Sequence, residues 1–344
     1  MRYVDSILYD KESVLIPRKG TLGNLFFVDQ PFWSIDTLFY TEIDKSQVIP
    51  KYLFYKLKTL DLENMNVGTA VPSLTTSLLN EIELHLPSLS YQEKIVDILT
   101  SLDNKIENNN AIIANLEEQA QAIFKHWFVD FELFQDKGLS DSKVGRIPKG
   151  WGVNSLENIA TFKNGLAMQK FRPENEQDSL PVLKIKELRA NKTDLSSDRC
   201  SVDIPKEVLI ENGDIIFSWS GSLLVEVWTG GTAGLNQHLF KVSSNKYNKW
   251  FYYYWTKFFL NQFVAIARDR ATTMGHIKRS HLKEANVLIP DDETLSRMDK
   301  VMNPIVSEII NLGVQNKKLE DLRNTLLPKL MSGEIRVEET VESK

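Results

Sequence analysis

Residues 14–22 read VLIPRKGTL and residues 215–223 read IIFSWSGSL, and both stretches pass from apolar residues into a polar turn with a glycine. Further matches follow in the same order. Leu38-Phe39 corresponds to Leu239-Phe240 at an offset of 201 residues, and residues 51–55 correspond to residues 249–253 at an offset of 198. Because order and spacing are both kept, the sequence contains one structural unit written twice.

A long helix is predicted at the end of each copy. Apolar residues recur there in alternating steps of four and three over four heptads, which is typical of a coiled coil. The two seams, offset by 203 residues, consist of Ile95, Leu99, Leu102, Ile106, Asn109, Ile113 and Leu116 in the first copy and Met298, Met302, Ile305, Ile309, Leu312, Asn316 and Leu319 in the second. Two seams of equal length predict that the helices pack against each other antiparallel.

Each seam contains one asparagine, Asn109 or Asn316. A buried asparagine in a coiled coil fixes the register and the partner of its helix. An asparagine in a frayed stretch would instead point to solvent, and the sequence leaves both readings open.

The fold class that follows is α+β, with two small α/β domains, the first one partial, separated by two long antiparallel helices related by a pseudo-two-fold repeat. Strands are expected at residues 181–186, 214–218 and 239–242, and an aromatic-rich helix at residues 250–266. The predicted organisation is a first globular domain at 1–90, a helix at 91–134, a linker at 135–150, a second globular domain at 151–290, a helix at 291–333 and an acidic tail at 334–344.

Composition restricts the class of protein. The chain of 344 residues is long enough for two domains, and its N-terminus lacks the pattern of a signal peptide. No apolar run is long enough to span a bilayer, so a cytoplasmic protein without membrane contact is expected. The single cysteine, Cys200, excludes an internal disulfide framework and a cysteine zinc cage.

Charge is unevenly distributed along the chain. Residues 151–290 carry 18 Lys and Arg against 14 Asp and Glu, whereas the remainder carries 23 against 32. Since affinity for DNA depends on where positive charge lies, the second globular domain is the expected place of DNA contact.

Candidate DNA-contacting residues fall in five places along the chain. Lysine and arginine suit phosphates, and amide, hydroxyl and imidazole groups suit base edges in the major groove. The candidates are Lys184, Lys186, Arg189 and Lys192 on a strand and the loop after it; Ser218; Asn236, Gln237 and His238; Arg268, Arg270, Thr272, Thr273, His276, Lys278 and Arg279; and, in the first copy, Arg18 and Lys19.

Patterns of catalysis are missing from the sequence. It contains no methyltransferase Asn- or Asp-Pro-Pro-aromatic motif, no phosphate loop and no nuclease motif, and its five histidines lack metal-ligand spacing. The sequence therefore indicates a binding protein rather than an enzyme, with no metal.

Four motifs resemble those of the specificity subunits of type I restriction-modification systems. They are LPSLSYQEKI at residues 86–95, AIFKHWFVDF at 122–131, GRIPKGW at 145–151 and LLPKLMSGEI at 326–335. The resemblance covers nearly the whole chain. It implies two target-recognition domains that each read one half of a split sequence in double-stranded DNA, and helices that set the gap between the halves.

The resemblance also implies partners. Two methyltransferase subunits, which bind S-adenosylmethionine, are expected to dock on the helices, and restriction subunits are expected to complete the nuclease. This chain itself is then a non-catalytic subunit that holds no cofactor.

One departure from the family pattern concerns the first domain. Met1 aligns with Val202, so residues 151–201 have no counterpart in the first copy. A partial domain is expected to expose sheet edges and to favour self-association. An alternative function is therefore a truncated or silent allele that acts only as a coiled-coil scaffold without effective DNA recognition.

Overall fold

The computed structural model describes residues 6–65, 73–175, 177–269 and 275–337, apart from the side chains of Gln135 and Lys137. The chain forms two compact units. Unit 1 comprises residues 1–106 and 319–344, and unit 2 comprises residues 107–318.

Helices and strands alternate through the described residues. The strands are β1 Ser13–Pro17, β2 Phe26–Val28, β3 Leu38–Tyr40, β4 Leu139–Ser142, β5 Gly145–Pro148, β6 Gly152–Ser155, β7 Thr161–Asn164, β8 Ser179–Leu183, β9 Arg199–Ser201, β10 Leu209–Ile210, β11 Ile215–Ser218, β12 Leu224–Val227, β13 Ala233–Leu235, β14 Leu239–Ser243 and β15 Asn286–Ile289. The α-helices are α1 Pro50–Lys58, α2 Thr76–Asn80, α3 Leu89–Phe128, α4 Leu156–Ile159, α5 Ile185–Ala190, α6 Lys249–Asp269, α7 Arg279–Glu284 and α8 Asp292–Ser332.

Unit 1 is built on a three-stranded antiparallel sheet of order β2-β1-β3. Strand β1 is apolar on both faces, so it lies at the centre and is buried. Helix α1 packs on this sheet, and its Tyr52 and Tyr55 are each 1% exposed. The same core contains Ile95 and Leu99 of α3 together with Leu330 and Met331 of α8. Within unit 1, the start of α3 therefore meets the end of α8, which makes the two helices antiparallel.

A partly buried polar contact joins these elements of unit 1. The Tyr55 hydroxyl donates to Asp103 Oδ2 at 2.6 Å, and Arg323 Nη1 donates to Asp103 Oδ1 at 2.7 Å. Burial and the hydrogen bond to Asp103 raise the pKa of Tyr55. The hydroxyl therefore stays protonated and remains a donor at neutral pH.

Unit 2 contains two four-stranded sheets, of orders β12-β11-β14-β7 and β10-β13-β8-β9, and two strand pairs, β15-β6 and β4-β5. Helix α6 covers the first sheet with a run of aromatic side chains, of which Trp250, Phe251 and Tyr253 are fully buried. A buried side chain of this size contributes about 1.5–3 kcal/mol by leaving water. The aromatic-rich helix expected at residues 250–266 is confirmed as α6, and its aromatic side chains belong to the core of unit 2.

The internal repeat is confirmed by strand register. In unit 1, Leu15 lies opposite Tyr40 and Ile16 opposite Phe39. In unit 2, Ile216 lies opposite Lys241 and Phe217 opposite Phe240. Adding 201 to each residue of the first set gives the second set, so the two copies share the register of this strand pair.

The seam asparagines are buried partners in unit 2. Asn109 Nδ2 donates to Asn316 Oδ1 at 2.8 Å and to Gln315 Oε1 at 2.7 Å, and Asn316 Nδ2 donates to Asn110 Oδ1 at 2.8 Å. Asn109 is fully buried and Asn316 is 7% exposed. Of the two readings of these residues, the structure supports the one in which they fix register. The other predicted seam residues are buried or half-buried.

Two sequence-based expectations differ from the structure. Residues 135–150 were expected to form a linker, but they contain part of a 3-10 helix at Glu132–Lys137 and the antiparallel pair β4-β5. The apolar residues Phe134, Ile147 and Trp151 anchor this segment in the core of unit 2. The segment was predicted to be a linker because of its several glycines. The basic residues after β8 were predicted to lie on a strand and the loop after it, but Lys186 and Arg189 lie on helix α5.

A helix that spans a bilayer must be both long and apolar, which bears on the helices of the described residues. None of them is long and apolar enough to cross a membrane.

We predict that Asn109 and Asn316 stabilise unit 2 only when both are present. Asn316→Leu should lower the free energy of unfolding by about 1–3 kcal/mol, because it deprives the buried Asn109 amide of a hydrogen-bond acceptor. The double variant Asn109→Leu and Asn316→Leu should recover most of this loss, since both polar groups are then removed together. Urea denaturation measures both, and a double variant no more stable than the single would contradict the pairing.

Candidate nucleic-acid interface

The candidate site of unit 2 lies at one end of the sheet β12-β11-β14-β7. Ser218, the last residue of β11, is opposite Leu239, the first residue of β14, and Phe240 is opposite Asn164, the last residue of β7. Because neighbouring strands are antiparallel, the segments that flank these strands meet at this end. We call the residues gathered there the strand-end cluster; they are Asn164, Trp219, Ser220, Asn236, Gln237, His238 and His276.

Side chains of the cluster bind each other. Trp219 Nε1 donates to Asn164 Oδ1 at 3.0 Å, which joins the end of β11 to the end of β7. Ser220 Oγ lies 3.0 Å from His238 Nδ1, which joins the same loop to the segment before β14. These contacts hold two ring systems, Trp219 and His238, with their centroids 6.1 Å apart.

Residues 275–277 pack against the same loop. Gly221 N donates to the Gly275 carbonyl at 2.9 Å, and Ile277 N donates to the Trp219 carbonyl at 3.1 Å. The His276 ring stands edge-on to Trp219 with 6.4 Å between centroids. The structure thus brings together two segments that the sequence singled out separately, 236–238 and 275–279.

A third predicted segment begins at the same place. Strands β8 and β13 are parallel neighbours, so their carboxyl ends are adjacent, and Asn236 N donates to the Leu183 carbonyl at 3.1 Å. Lys184 therefore begins beside Asn236. The segment then turns away, because Asn191 at the end of α5 bonds to the backbone of Val227 at the far end of β12. Lys192 is accordingly not part of the cluster.

The cluster offers polar groups at half-exposed positions. Trp219, Gln237 and His238 are half-buried, and His276 is exposed. Gln237 carries an amide that can both donate and accept, and each imidazole has two nitrogens with distinct roles. Groups of this kind, held by a sheet rather than by a long loop, suit hydrogen bonding to base edges.

Exposed basic side chains lie next to the cluster. Arg268 lines a hollow beside Gly221, Ser222 and Gly275, and Lys278 follows the loop that binds Trp219. Both residues are exposed, so their charges are available to phosphates. A polar centre beside basic residues is the arrangement expected of a surface that reads bases while holding the DNA backbone.

Several predicted residues have other partners in the structure. Ser218 is fully buried and donates to the Ser220 carbonyl at 3.2 Å, which corrects its assignment to the DNA surface. Arg279 Nη2 donates to the Phe162 carbonyl at 3.0 Å, and its guanidinium lies 5.8 Å from the centre of the Phe240 ring. Arg279 therefore packs on the edge of the sheet at β7. The run of basic residues around it had predicted DNA contact instead.

The basic candidates Lys184, Lys186 and Arg189, at the N-cap of α5 and along it, differ in their contacts. Lys184 Nζ forms an ion pair with Asp198, and Lys186 Nζ donates to Ser196 Oγ at 3.1 Å. These contacts bind Lys184 and Lys186 to the loop that precedes β9. Arg189 is exposed on the surface. DNA contact by this group stays a prediction.

Three further candidates, Arg270, Thr272 and Thr273, lie outside the described residues. The part of the predicted tail at 338–344 lies outside them as well.

Unit 1 presents the equivalent loop with different chemistry. Arg18 and Lys19 occupy the positions of Trp219 and Ser220, and Lys19 bridges to Ser73 as Ser220 bridges to His276. The Arg18 guanidinium lies 5.8 Å from the centre of the Phe39 ring, and the Trp219 ring lies 5.7 Å from that of Phe240. One backbone frame therefore carries a basic pair in unit 1 and a tryptophan-serine pair in unit 2.

Three members of the cluster, Asn164, Trp219 and Ser220, were not recognised as site residues from the sequence. Trp219 and Ser220 directly follow the candidate Ser218, and Asn164 stands alone at the end of a short strand. The alignment of Trp219 with the predicted site residue Arg18 was the available signal for Trp219.

Within the described residues, no group of three or more His, Cys, Asp or Glu side chains is arranged to hold a metal ion. Cys200 is buried, and burial raises the pKa of its thiol, so the reactive thiolate is disfavoured.

Comparison with known proteins was made on sequence and fold. The family model described as the type I restriction modification DNA specificity domain matches residues 1–118 and 148–323. The specificity subunit of the type I restriction enzyme MjaIX from Methanocaldococcus jannaschii is 30% identical over 347 aligned residues, covering 96% of this chain and 79% of that protein. The specificity subunit of the HindI enzyme from Haemophilus influenzae is 23% identical, covering 91% and 84%.

A solved structure shares the fold. The crystal structure of the type I restriction-modification system S subunit from M. genitalium superposes with a TM-score of 0.56 at 17% identity, over 95% of this chain and 84% of that one. At this identity the likeness concerns the fold alone.

We predict that the cluster depends on a close backbone approach at Gly165. A Cβ atom there would lie 2.2 Å from the Asn236 carbonyl oxygen, whereas a Cβ atom at Gly152 would meet nothing within 4 Å. Gly165→Ala should therefore lower the free energy of unfolding by about 2 kcal/mol or more, since backbone must shift, and Gly152→Ala should leave it within about 0.5 kcal/mol. Thermal unfolding compares the two, and equal effects would show that the approach is not tight.

Proposed function

This chain belongs to the family of type I restriction-modification DNA specificity subunits, and we propose that it recognises a two-part DNA sequence with one strand-end loop in each unit. The single observation that carries the proposal is the strand-end cluster of unit 2. There, amide, imidazole and indole groups from four segments of the chain are fixed by mutual contacts next to exposed arginine and lysine.

Base reading is assigned to the polar centre of the cluster. Gln237, His238 and His276 carry donors and acceptors that can match the distinct pattern each base pair shows in the major groove. Their support is rigid, because Ser220 holds His238 and Asn164 holds Trp219. Rigid support favours discrimination between bases, since a side chain fixed in advance loses less entropy on binding.

Phosphate binding is assigned to Arg268 and Lys278. Contacts of this kind position a protein on the duplex and supply affinity without sequence information. They also make binding dependent on salt, because each neutralised phosphate releases counterions.

The loop of unit 1 is assigned to the other half of the target. Arg18 and Lys19 stand where unit 2 has Trp219 and Ser220, and arginine pairs with guanine most readily of all side chains. Two halves with unlike chemistry on a shared frame suit an asymmetric, two-part sequence.

The remaining partners are proposed from family membership. The chain acts as a non-catalytic subunit that docks methyltransferase and restriction subunits, and S-adenosylmethionine belongs to the methyltransferase. A surface groove in unit 2 supports docking there, between α3 and α6. Val129 and Phe258 both line it and are 41% and 48% exposed, so the groove presents apolar surface to a partner.

The division between base and phosphate contacts is testable by DNA binding at several salt concentrations. Gln237→Ala and His238→Ala should each cost about 1–3 kcal/mol for the target sequence and keep the salt dependence unchanged. Arg268→Ala and Lys278→Ala should weaken binding to all sequences and reduce the slope of log affinity against log salt by about 1 each. The matched control is Lys300→Ala, an exposed lysine on α8.

Two results would contradict this assignment of base and phosphate contacts. Unchanged affinity in all four variants would remove the cluster and the neighbouring Arg268 and Lys278 from the DNA surface. A wild-type chain that binds no DNA sequence, even with the methyltransferase present, would leave the scaffold function in place of the proposed one.

Docking of the methyltransferase is tested by co-purification. Phe258→Asp should abolish or strongly reduce capture of that subunit by the full chain, because a charge would be buried in an apolar interface. The control is Val202→Asp, since Val202 is an exposed apolar residue away from this groove, at 56% exposure. Equal capture by both variants would move the docking surface elsewhere.

A further inference from the structure

Unit 1 has an apolar groove along the outer side of strand β3. Its walls include Phe39 and Tyr40 of β3, Leu53 of α1, Leu79 of α2 and Leu84 of the extended segment that precedes α3. Strand β3 is an edge strand, and no described strand pairs with its outer side. An exposed edge presents unpaired backbone groups that can bind another strand.

The internal repeat shows how this groove is built in unit 2. The equivalents of β3, α1 and α2 there are β14, α6 and α7, and the equivalent of residues 83–86 is strand β15. In unit 2 the groove is filled by residues 152–164, which form the strand β6, the short helix α4 and the strand β7.

Each part of that filling segment has a defined partner. Strand β7 pairs with β14, so that Lys163 lies opposite Lys241 and Thr161 opposite Ser243. Strand β6 pairs with β15, and Leu156 N at the start of α4 donates to the Ala285 carbonyl at 2.9 Å.

The apolar side chains of the filling segment complete the core of unit 2. Leu156, Ile159 and Phe162 are 0%, 1% and 3% exposed. Phe162 meets Phe240, the equivalent of Phe39, with 5.9 Å between ring centroids.

Burial differs between the two copies at the same positions. Leu282, Ala285 and Val287 of unit 2 are buried beneath the filling segment. Their equivalents in unit 1, Leu79, Ile82 and Leu84, are all only half-buried. The residues that line the groove are thus apolar in both copies but covered in one.

We propose that the groove of unit 1 binds a strand–helix–strand segment of another polypeptide chain, built like residues 152–164. Its second strand would pair antiparallel with β3, its first strand would pair with residues 83–86, and its apolar residues would fill the groove. This mode of recognition is β-augmentation, in which backbone hydrogen bonds supply affinity and side-chain pockets supply specificity. The proposal goes beyond DNA recognition and does not depend on it.

A separate chain is favoured over a second copy of this one. In a second copy, residues 152–164 already complete the core of its own unit 2, where Leu156, Ile159 and Phe162 are buried. Their release would expose that core to water. A segment not engaged in this way carries no such cost.

The test uses the full chain and a fluorescent peptide with the sequence of residues 150–166. Saturable binding is expected by fluorescence anisotropy, and peptides with Ile159→Asp or Phe162→Asp should bind at least tenfold more weakly. On the protein, Leu84→Asp should weaken binding at least tenfold, whereas the control Val202→Asp should not. Because the peptide variants leave the protein untouched, they remain decisive if Leu84→Asp impairs folding.

Register is tested by cross-linking. Glu42 is the equivalent of Ser243, so Glu42→Cys should form a disulfide with a peptide carrying Thr161→Cys, which lies opposite Ser243 in unit 2. The control is Asp29→Cys, next to β2 at the opposite edge of the sheet. The native Cys200 is fully buried and gives little background.

Three results would overturn the proposal. They are the absence of peptide binding, equal cross-linking at Glu42→Cys and Asp29→Cys, and a full chain that fills its own groove by exchanging residues 152–164 in a dimer. None of them bears on DNA binding by unit 2, so failure here is distinguishable from failure of the proposed function.

Discussion

Strand register is the constraint on which the candidate sites depend. The central strand of each sheet, β1 or β11, pairs with its partner strand so that Ile16 faces Phe39 and Phe217 faces Phe240. This pairing decides which residue is the first to leave the sheet, and therefore which side chains meet at its end. A slip of one residue would turn every side chain of the strand to the other face. The buried apolar residues therefore fix the positions of the site residues as well as the packing of the core.

A shared register with different loops explains how one architecture can serve two sequences. The frame is kept because its residues are buried, whereas Arg18 and Trp219 stand outside the ladder and are free to differ. Binding surfaces carried on the ends of rigid elements combine precision with variation. The same comparison of copies reveals the covered groove of unit 2 and the open groove of unit 1, which neither copy shows by itself.

Much of this structure follows from sequence patterns alone. The repeat, the paired seams with Asn109 and Asn316, and the aromatic core of α6 are all written in apolar periodicity, which depends on local geometry. Other features depend on contacts between distant residues. Burial of Ser218, the use of Arg279 to close a sheet edge, and the contact of Trp219 with Asn164 arise from tertiary packing that no local pattern encodes. The ordered segment at 135–150 was missed because its glycines and proline suggested a linker, although Ile147 and Trp151 anchor it.

The central claim is that the strand-end cluster reads one half of a two-part DNA target. The most direct measurement is selection from a random DNA library by the full chain with the proposed methyltransferase partner, followed by sequencing of the bound DNA. The wild-type chain should select two separated half-sites, and replacing Gln237 and His238 by alanine should erase the information in one half-site and leave the other unchanged. Selection of the same complete sequence by both proteins would contradict the account.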